Sequence, residues 1–333
     1  MSAPRVFVTR RIPKAGLDRL QSACEIDVWP GEMPPPAAVL REKAHDADGL
    51  LSLLTDRIDA ELLRSAKRLK VVSNFAVGVD NIDVEEATRL GIKVGNTPGV
   101  LTDSTADCAV ALMLAAGRRI VSGDRYVREG RWKTWEPVGH VGVDFRGKTL
   151  GVFGMGRIGF ATARRCRFGF EMNVVYVSRS ENEWTERASH ELQARRVDFD
   201  GLLAGSDVIS VHAGLNDGSR GLFNASAFAR MKPTALFVNT ARGGIVDEAD
   251  LCDALEHSTI FAAGLDVTDP EPPKPESRLF SLENLIVAPH LASATIETRT
   301  NMAEAAAENL LAGLQGRPMP SCVNLAKLEE RRG

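Results

Sequence analysis

The sequence predicts an α/β chain of two domains, each built on a parallel sheet, and three observations predict it. Short apolar strands alternate with helical stretches along most of the 333 residues, the rhythm of βαβ units. A glycine-rich turn, Gly154, Gly156 and Gly159, follows an apolar β-branched strand and opens an amphipathic helix, the context that gives such a turn meaning. Proline and glycine breaks at Thr97-Pro98-Gly99 and Ala288-Pro289-His290 divide the chain into three segments. We expect a discontinuous, flavodoxin-like substrate-binding domain of residues 1–99 and 290–333. A dinucleotide-binding domain of residues 100–289 is inserted into it, so that both domains are Rossmann-like.

In the first segment the runs 6–9, 49–54 and 71–74 read as strands, separated by helical stretches near 13–23, 36–44 and 60–66. The proline cluster Pro34–Pro36 reads as a surface loop. The pattern 101–117 suits a long helix capped by Thr102 or Asp103. Strands then recur at 150–153, 173–177, 208–211, 236–239, 262–266 and 285–288, and a last helix, 296–313, returns to the first domain.

Composition excludes several classes. Hydrophobic content of 44% and charged content of 26% are those of an ordinary globular protein. The 41 basic and 44 acidic residues leave a net charge of −3, with no call for nucleic acid or a membrane surface. Five scattered cysteines (Cys24, Cys108, Cys166, Cys252, Cys322) form no CxxC, which argues against a disulfide framework or a metal site and for a reducing, cytoplasmic compartment. The N-terminus runs straight into a strand, without a secretory signal, and the closing ERRG is no evident targeting signal. The longest apolar stretch, 106–117, carries Asp107 and is too short to span a bilayer.

The three glycines have separate tasks: a tight turn, close backbone approach to a pyrophosphate, and close helix–strand packing. The helix from Arg157 and Ile158 turns its first amides toward the phosphates. An NAD site usually carries an acidic residue about 20 positions further on, accepting from the ribose 2′-hydroxyl. Here the strand ends in Ser178, Arg179 and Ser180, with no carboxylate before Glu181. A guanidinium between two hydroxyls suits a 2′-phosphate, so NADPH is the expected cofactor, with NADH serving at lower efficiency.

Three polar residues follow three later strands: Arg242 in FVNTARGGIVDE, Glu271 in GLDVTDPEPP and His290 in VAPHLASAT. Ligands of an open parallel sheet bind beyond the carboxyl ends of its strands, so all three are expected to face one crevice. Carbonyl reduction needs a proton donor, a cation for the substrate acid and a partner for the donor. His290 donates, Glu271 pairs with its charged form, and Arg242 binds a carboxylate and polarises the neighbouring ketone.

Over nearly its whole length the chain resembles the D-isomer-specific 2-hydroxyacid dehydrogenase family. The motifs NFAVGVDNID, NTPGVLTDSTAD, GKTLGVFGMGRIG, LFVNTARGGIVDE, AAGLDVTDPEP and APHLASAT carry the resemblance. It puts the family's catalytic Arg, Glu and His on Arg242, Glu271 and His290. Formate dehydrogenases carry Gln at the position of Glu271, and phosphoglycerate dehydrogenases often add regulatory domains for which this length leaves no room. The branch most like this chain is that of glyoxylate/hydroxypyruvate reductases, on the residues RVFVTRRIP, the SRS at 178–180, Trp132, Trp135 and NLLAGLQGRPMPS.

The resemblance implies that backbone amides near Val77 and Gly78 hold the substrate carboxylate and that Ser293 lies by the substrate. It places Thr240 and Asp266 around the nicotinamide ribose and carboxamide, and His212 at the adenosine pocket. Gly214 stands where the family usually has Pro, which leaves room for a larger adenosine-phosphate pose. Trp135 either lines the substrate pocket of the partner subunit in a homodimer or is buried with Trp132 in the dimer contact. The expected reaction is NADPH-dependent reduction of glyoxylate to glycolate and of hydroxypyruvate to D-glycerate. Two other readings stay open: a dehydrogenase for a larger 2-keto acid, and a nucleotide-sensing interaction protein of the C-terminal binding protein type.

Overall fold

A computed structural model describes residues 3–330 of the chain. The closing ERRG, read as no targeting signal, lies outside the described residues apart from Glu330. The chain divides into two compact units, Met1–Leu101 with Ala294–Gly333, and Thr102–Ser293.

The first unit holds five parallel strands: β1 (Arg5–Val8), β2 (Glu25–Val28), β3 (Gly49–Ser52), β4 (Val71–Asn74) and β5 (Lys93–Gly95). Their order is β2-β1-β3-β4-β5, the flavodoxin-like order 2-1-3-4-5. Every residue of β3 and β4 is buried, as central strands covered on both faces must be; both start apolar and end on buried polar residues, Ser52 in one and Ser73 and Asn74 in the other. Two strands here have no counterpart in the sequence reading. β2, Glu-Ile-Asp-Val, alternates charged and apolar residues at the sheet edge, where a polar face costs nothing. β5 is only three residues long.

One face of this sheet is covered by the helix Ile296–Leu314, capped by the Thr295 hydroxyl, which accepts from the Thr298 N–H. Its small side chains let neighbours come close. A Cβ added at Gly16, in the helix Lys14–Gln21, would lie 2.7 Å from the Ala303 carbonyl oxygen. Ser73 Oγ donates to the Ala306 carbonyl at 2.8 Å, tying β4 to the same helix. The Pro34–Pro36 segment is a loop, with Pro36 directly ahead of the helix Ala37–Asp46.

The second unit holds seven parallel strands: β6 (Thr149–Phe153), β7 (Asn173–Val177), β8 (Arg195–Arg196), β9 (Val208–Val211), β10 (Leu236–Asn239), β11 (Ala262–Leu265) and β12 (Leu285–Val287). Their order is β12-β11-β10-β9-β6-β7-β8. The chain builds outward from β6 to β8, then returns to the other side of β6 and builds outward again. This is the doubly wound Rossmann arrangement, with its reversal between β6 and β9, and such a switch point is where ligands bind. One face is packed by an aromatic group in which the Phe223 and Phe237 rings lie 4.9 Å apart, tilted by 55°. The other is packed by Met113, Leu150, Met155, Phe160 and Met172.

The helix Thr102–Gly117 lies against that second face. Thr102 and Asp103, the two expected caps, both lie inside its first turn, and Asp103 pairs there with Arg165 at 2.9 Å. Among the described residues no helix is long and apolar enough to cross a membrane. All five cysteines are free thiols.

Candidate active site

The glycine turn follows β6 and is tied to β7 by the Gly154 N–H, which donates to the Val177 carbonyl at 3.0 Å. Gly154 has φ of +101°, and a Cβ there would meet Ala213 N at 2.6 Å and His212 C at 2.8 Å. The turn is thus pressed against the backbone that leaves β9. A Cβ at Gly159 would lie 2.3 Å from the Gly154 carbonyl oxygen and 3.0 Å from Val152, so the helix Arg157–Gly169 sits hard on β6. Gly156, between them, faces open space, with no atom within 4 Å of its would-be Cβ. No side chain caps this helix at Gly156. Its first amides, from Arg157 and Ile158 on, therefore present donors and positive dipole to that space.

Beyond β7 the Ser178 hydroxyl donates to the Ser180 carbonyl at 2.9 Å. Arg196 of β8, paired in register with Tyr176, donates to the Ser178 carbonyl at 2.7 Å. This second arginine was not read from the sequence, because a two-residue edge strand has no periodicity to betray it. Arg179 itself is exposed, and among the described residues its guanidinium has no partner.

The other residues gather on the loops after β9, β10, β11 and β12. His212 keeps some accessible surface, yet desolvation pushes its pKa down, to about 3, so the ring is neutral and hydrogen-bonds Ser210 Oγ at 2.8 Å. Thr240 Oγ1 is buried with no hydrogen-bond partner among the described residues. Asn239 shapes the next turn: its Oδ1 accepts from the Ala241 N–H at 3.0 Å and its Nδ2 donates to the Arg242 carbonyl at 2.9 Å. Gly243 follows because a Cβ there would lie 2.1 Å from both the carbonyl carbon and oxygen of Thr268. The Arg242 loop therefore abuts the backbone that leads to Glu271.

Asp266, at the end of β11, is fully buried and organises the loop after β12. Its Oδ1 accepts from the Leu291 N–H at 2.8 Å, and its Oδ2 from the Ala292 N–H at 2.9 Å. Burial pushes its pKa up, while those two N–H groups pull it the other way. The His290 N–H donates to the Asp266 carbonyl at 2.9 Å, and His290 itself takes a left-handed φ of 52°. His290 Nδ1 lies 2.6 Å from Glu271 Oε1, with 23% and 35% of the two side chains accessible. A carboxylate only accepts, so Nδ1 carries the proton and Nε2 is the nitrogen left for chemistry. Ser293 closes the same loop, half-buried.

Val77 and Gly78 belong to the first unit, just after β4. Their carbonyls accept from Asn96 Nδ2 at 2.7 Å and Asn74 Nδ2 at 2.9 Å. Among the described residues their N–H groups donate to no protein acceptor. Trp132 and Trp135 lie in the second unit, 61% and 78% exposed, beside a cleft of ≈ 420 Å³ that Tyr126, Val127 and His140 also line. The open face of Gly156, the uncapped helix start and the orphaned Thr240 hydroxyl fit a bound dinucleotide.

A switch-point glycine turn, with an acid–base pair on the loops three and four strands away in the same sheet, defines a nicotinamide-dependent oxidoreductase. Residues 110–292 match the model of the D-isomer-specific 2-hydroxyacid dehydrogenase NAD-binding domain. The glyoxylate reductase of Korarchaeum cryptofilum is 49% identical over 322 residues, 96% of each chain. Among solved structures, a Thermus thermophilus protein superposes with a TM-score of 0.89 at 45% identity, covering 96% of this chain and 99% of that one. The NADPH-dependent glyoxylate/hydroxypyruvate reductase of Sinorhizobium meliloti, solved with NADP and malonate, has a TM-score of 0.84 at 32% identity, with 98% of each chain covered. The chain belongs to the D-isomer-specific 2-hydroxyacid dehydrogenase family and is glyoxylate reductase-like. It is an NAD(P)-dependent oxidoreductase acting on CH–OH donors, and its reaction is the reduction of 2-keto acids.

Proposed function

We propose that the chain is an NADPH-preferring reductase of small 2-keto acids, taking glyoxylate to glycolate and hydroxypyruvate to D-glycerate. The observation that carries the reaction is the 2.6 Å contact between His290 Nδ1 and Glu271 Oε1. Glu271 holds Nδ1–H and pairs with the doubly protonated ring, so that Nε2–H delivers its proton to the oxygen that becomes the hydroxyl and the ring is left neutral. Arg242 binds the acid and polarises the carbonyl, the Val77 and Gly78 amides hold the carboxylate, and Ser293 stands by the substrate. The nicotinamide supplies the hydride. Gly154, Gly156, Arg157, Ile158 and Gly159 would seat its pyrophosphate, Thr240 and Asp266 the nicotinamide end, and His212 the adenosine.

The cofactor preference is supported by Arg179, exposed with no protein partner among the described residues, on a strand end that carries no carboxylate. The names of the similar proteins support the substrate. The exposed apolar stretch with Trp132, Trp135 and Val138 (84% exposed) supports a homodimer, in which a second copy covers it. The test is initial-rate kcat/KM for hydroxypyruvate and glyoxylate with NADPH and NADH, beside pyruvate and phenylpyruvate. We expect NADPH with the two small polar acids to lead by tenfold or more. A lead for NADH removes the Arg179 reading, and a lead for phenylpyruvate removes the substrate.

A further inference from the structure

We infer that Asn74 and Asn96 are positioning residues that turn the amides of the Val77–Gly78 loop toward the substrate carboxylate, and that Ser321 locks Asn96 in place. This rests on the proposal that amides of this loop bind the acid; the peptide planes held are those of the Gly78 N–H, already named there, and of the Val79 N–H, which this inference adds.

The argument starts from the peptide plane. In a trans peptide the carbonyl of one residue and the N–H of the next point in opposite directions. Asn96 Nδ2 holds the Val77 carbonyl at 2.7 Å, which turns the Gly78 N–H the other way. Asn74 Nδ2 holds the Gly78 carbonyl at 2.9 Å, which does the same for the Val79 N–H. Among the described residues neither N–H donates to a protein acceptor. Two successive loop amides left without a protein acceptor are donors available to an anion.

Both asparagines are themselves held. Asn74 is fully buried; its Oδ1 accepts from Ser52 Oγ at 3.0 Å, and its Nδ2 also donates to Asn81 Oδ1 at 3.0 Å. Asn81 in turn donates to the Leu53 and Asp56 carbonyls at 3.0 and 2.9 Å. Asn96 Oδ1 accepts from Ser321 Oγ at 2.6 Å, and the Asn96 carbonyl accepts from Asn309 Nδ2 at 2.7 Å. The Ser321 N–H donates to Asn309 Oδ1 at 2.9 Å, closing the ring. A residue 225 positions away along the chain thus fixes the amide that holds the Val77 carbonyl. Such connected networks specify one arrangement, because each broken bond strands a partner in a poorly solvated place.

The experiment uses the full chain, with Asn96→Ala and the milder Ser321→Ala. First, oxalate, a small carboxylate probe, is titrated into the 15N-labelled wild type with NADPH present, and the amide signals of Val77, Gly78 and Val79 are followed. Then the oxalate Kd, glyoxylate KM and kcat, NADPH Kd and unfolding temperature are compared. Loss of one net hydrogen bond predicts a rise of about three- to tenfold in glyoxylate KM and oxalate Kd, with kcat and NADPH Kd within about twofold. Should Asn96→Ala fail to fold, Ser321→Ala gives the reading. If the wild-type amides respond to oxalate but both variants bind it as the wild type does, the clamp is wrong while the carboxylate site stands. A joint fall in kcat, cofactor affinity and unfolding temperature makes these residues merely structural and overturns the proposal. Wild-type amides silent to oxalate remove the carboxylate site itself.

Discussion

Alanine at Gly154 and alanine at Gly156 should separate stability from cofactor binding, although the two sites lie two residues apart. At Gly154 the backbone has φ of +101°, and the new Cβ would press on Ala213 N at 2.6 Å and on Ala213 Cα at 2.9 Å. A non-glycine residue in that region costs about 1–2 kcal/mol. Forcing a carbon against backbone that cannot rotate away costs about 1–3 kcal/mol more. The sum, about 2–5 kcal/mol, corresponds to a fall of roughly 5–20 °C in the unfolding temperature of a unit of this size. At Gly156 the backbone is extended, with φ of −103°, and a Cβ meets nothing within 4 Å. Its cost is the loss of a good N-terminal capping residue, about 1 kcal/mol or less. The methyl group would, however, fill the space proposed for the pyrophosphate, and we expect NADPH to bind at least tenfold more weakly, about 1.4 kcal/mol. Urea and thermal unfolding of the cofactor-free protein, with NADPH titration by fluorescence, read both quantities. Unchanged NADPH affinity in Gly156→Ala would show that the open face is not where the phosphates sit. Unchanged stability in Gly154→Ala would show that the turn does not press on the strand end.

His290→Ala should lower kcat by about 10² to 10⁴ with glyoxylate, the usual range for a positioned acid, and near-wild-type turnover would end that assignment. Arg179→Ala should weaken NADPH by about 1.5–3 kcal/mol and leave NADH little changed, as measured by titration; equal losses would show that it does not read the 2′-phosphate. Arg89, and after it Arg64, hold the Glu86 carboxyl at about 2 in the folded state, below the usual 4.5. A depressed carboxyl contributes stability above its unfolded pKa and loses it as pH falls from about 4.5 through about 2. Glu86→Gln should therefore be less stable than wild type at pH 7, with the gap closing as the pH of urea unfolding is lowered from 5 to 3. A gap that stays constant over that range rules out the ion pairs as its source.

What could be read from the sequence follows from where each residue sits. Central strands such as β3, β9 and β10 are buried on both faces, so their composition is mostly apolar, with one hydrogen-bonded polar residue in each. The glycines at 154 and 159 face backbone contacts that allow no side chain, and a constraint of that kind leaves a spaced pattern. Arg242 and His290 stand out as candidates because each is a polar residue close behind an apolar strand, while Glu271 lies further along the loop after β11. The edge strands β2, β5 and β8 were not, being short and either charged or half polar. With β8 went Arg196, whose bond to the Ser178 carbonyl depends on a pairing with β7 that no local pattern encodes. Asn74, Asn96 and Ser321 were missed for a related reason. Asparagine and serine in turns look like ordinary turn formers, and what sets these apart exists only in the fold: Asn96 meets Ser321 across 225 residues of chain, and Asn74 meets Ser52 on the neighbouring strand.

The sheet order explains why three loops so far apart in sequence, those carrying Arg242, Glu271 and His290, leave one edge of the sheet together. β10, β11 and β12 are neighbours and parallel, so the loops that follow them leave the same edge of the sheet side by side. Adjacency alone would place Arg242, Glu271 and His290 only roughly, since each loop is several residues long. The remaining precision comes from groups that link one loop to the next. Gly243 lets the first loop lie against the Thr268–Asp269 backbone of the second. Asp266, at the root of the second loop, holds the amides of Leu291 and Ala292 in the third, and its carbonyl holds His290. Glu271 then meets His290 across the last gap. Asp266 thus anchors the same loop from its root, through the backbone, and its buried carboxylate still has lone pairs beyond the two amides it accepts. A role toward the nicotinamide and a role in seating His290 are compatible in one residue, and a substitution there should disturb proton delivery as well as cofactor binding.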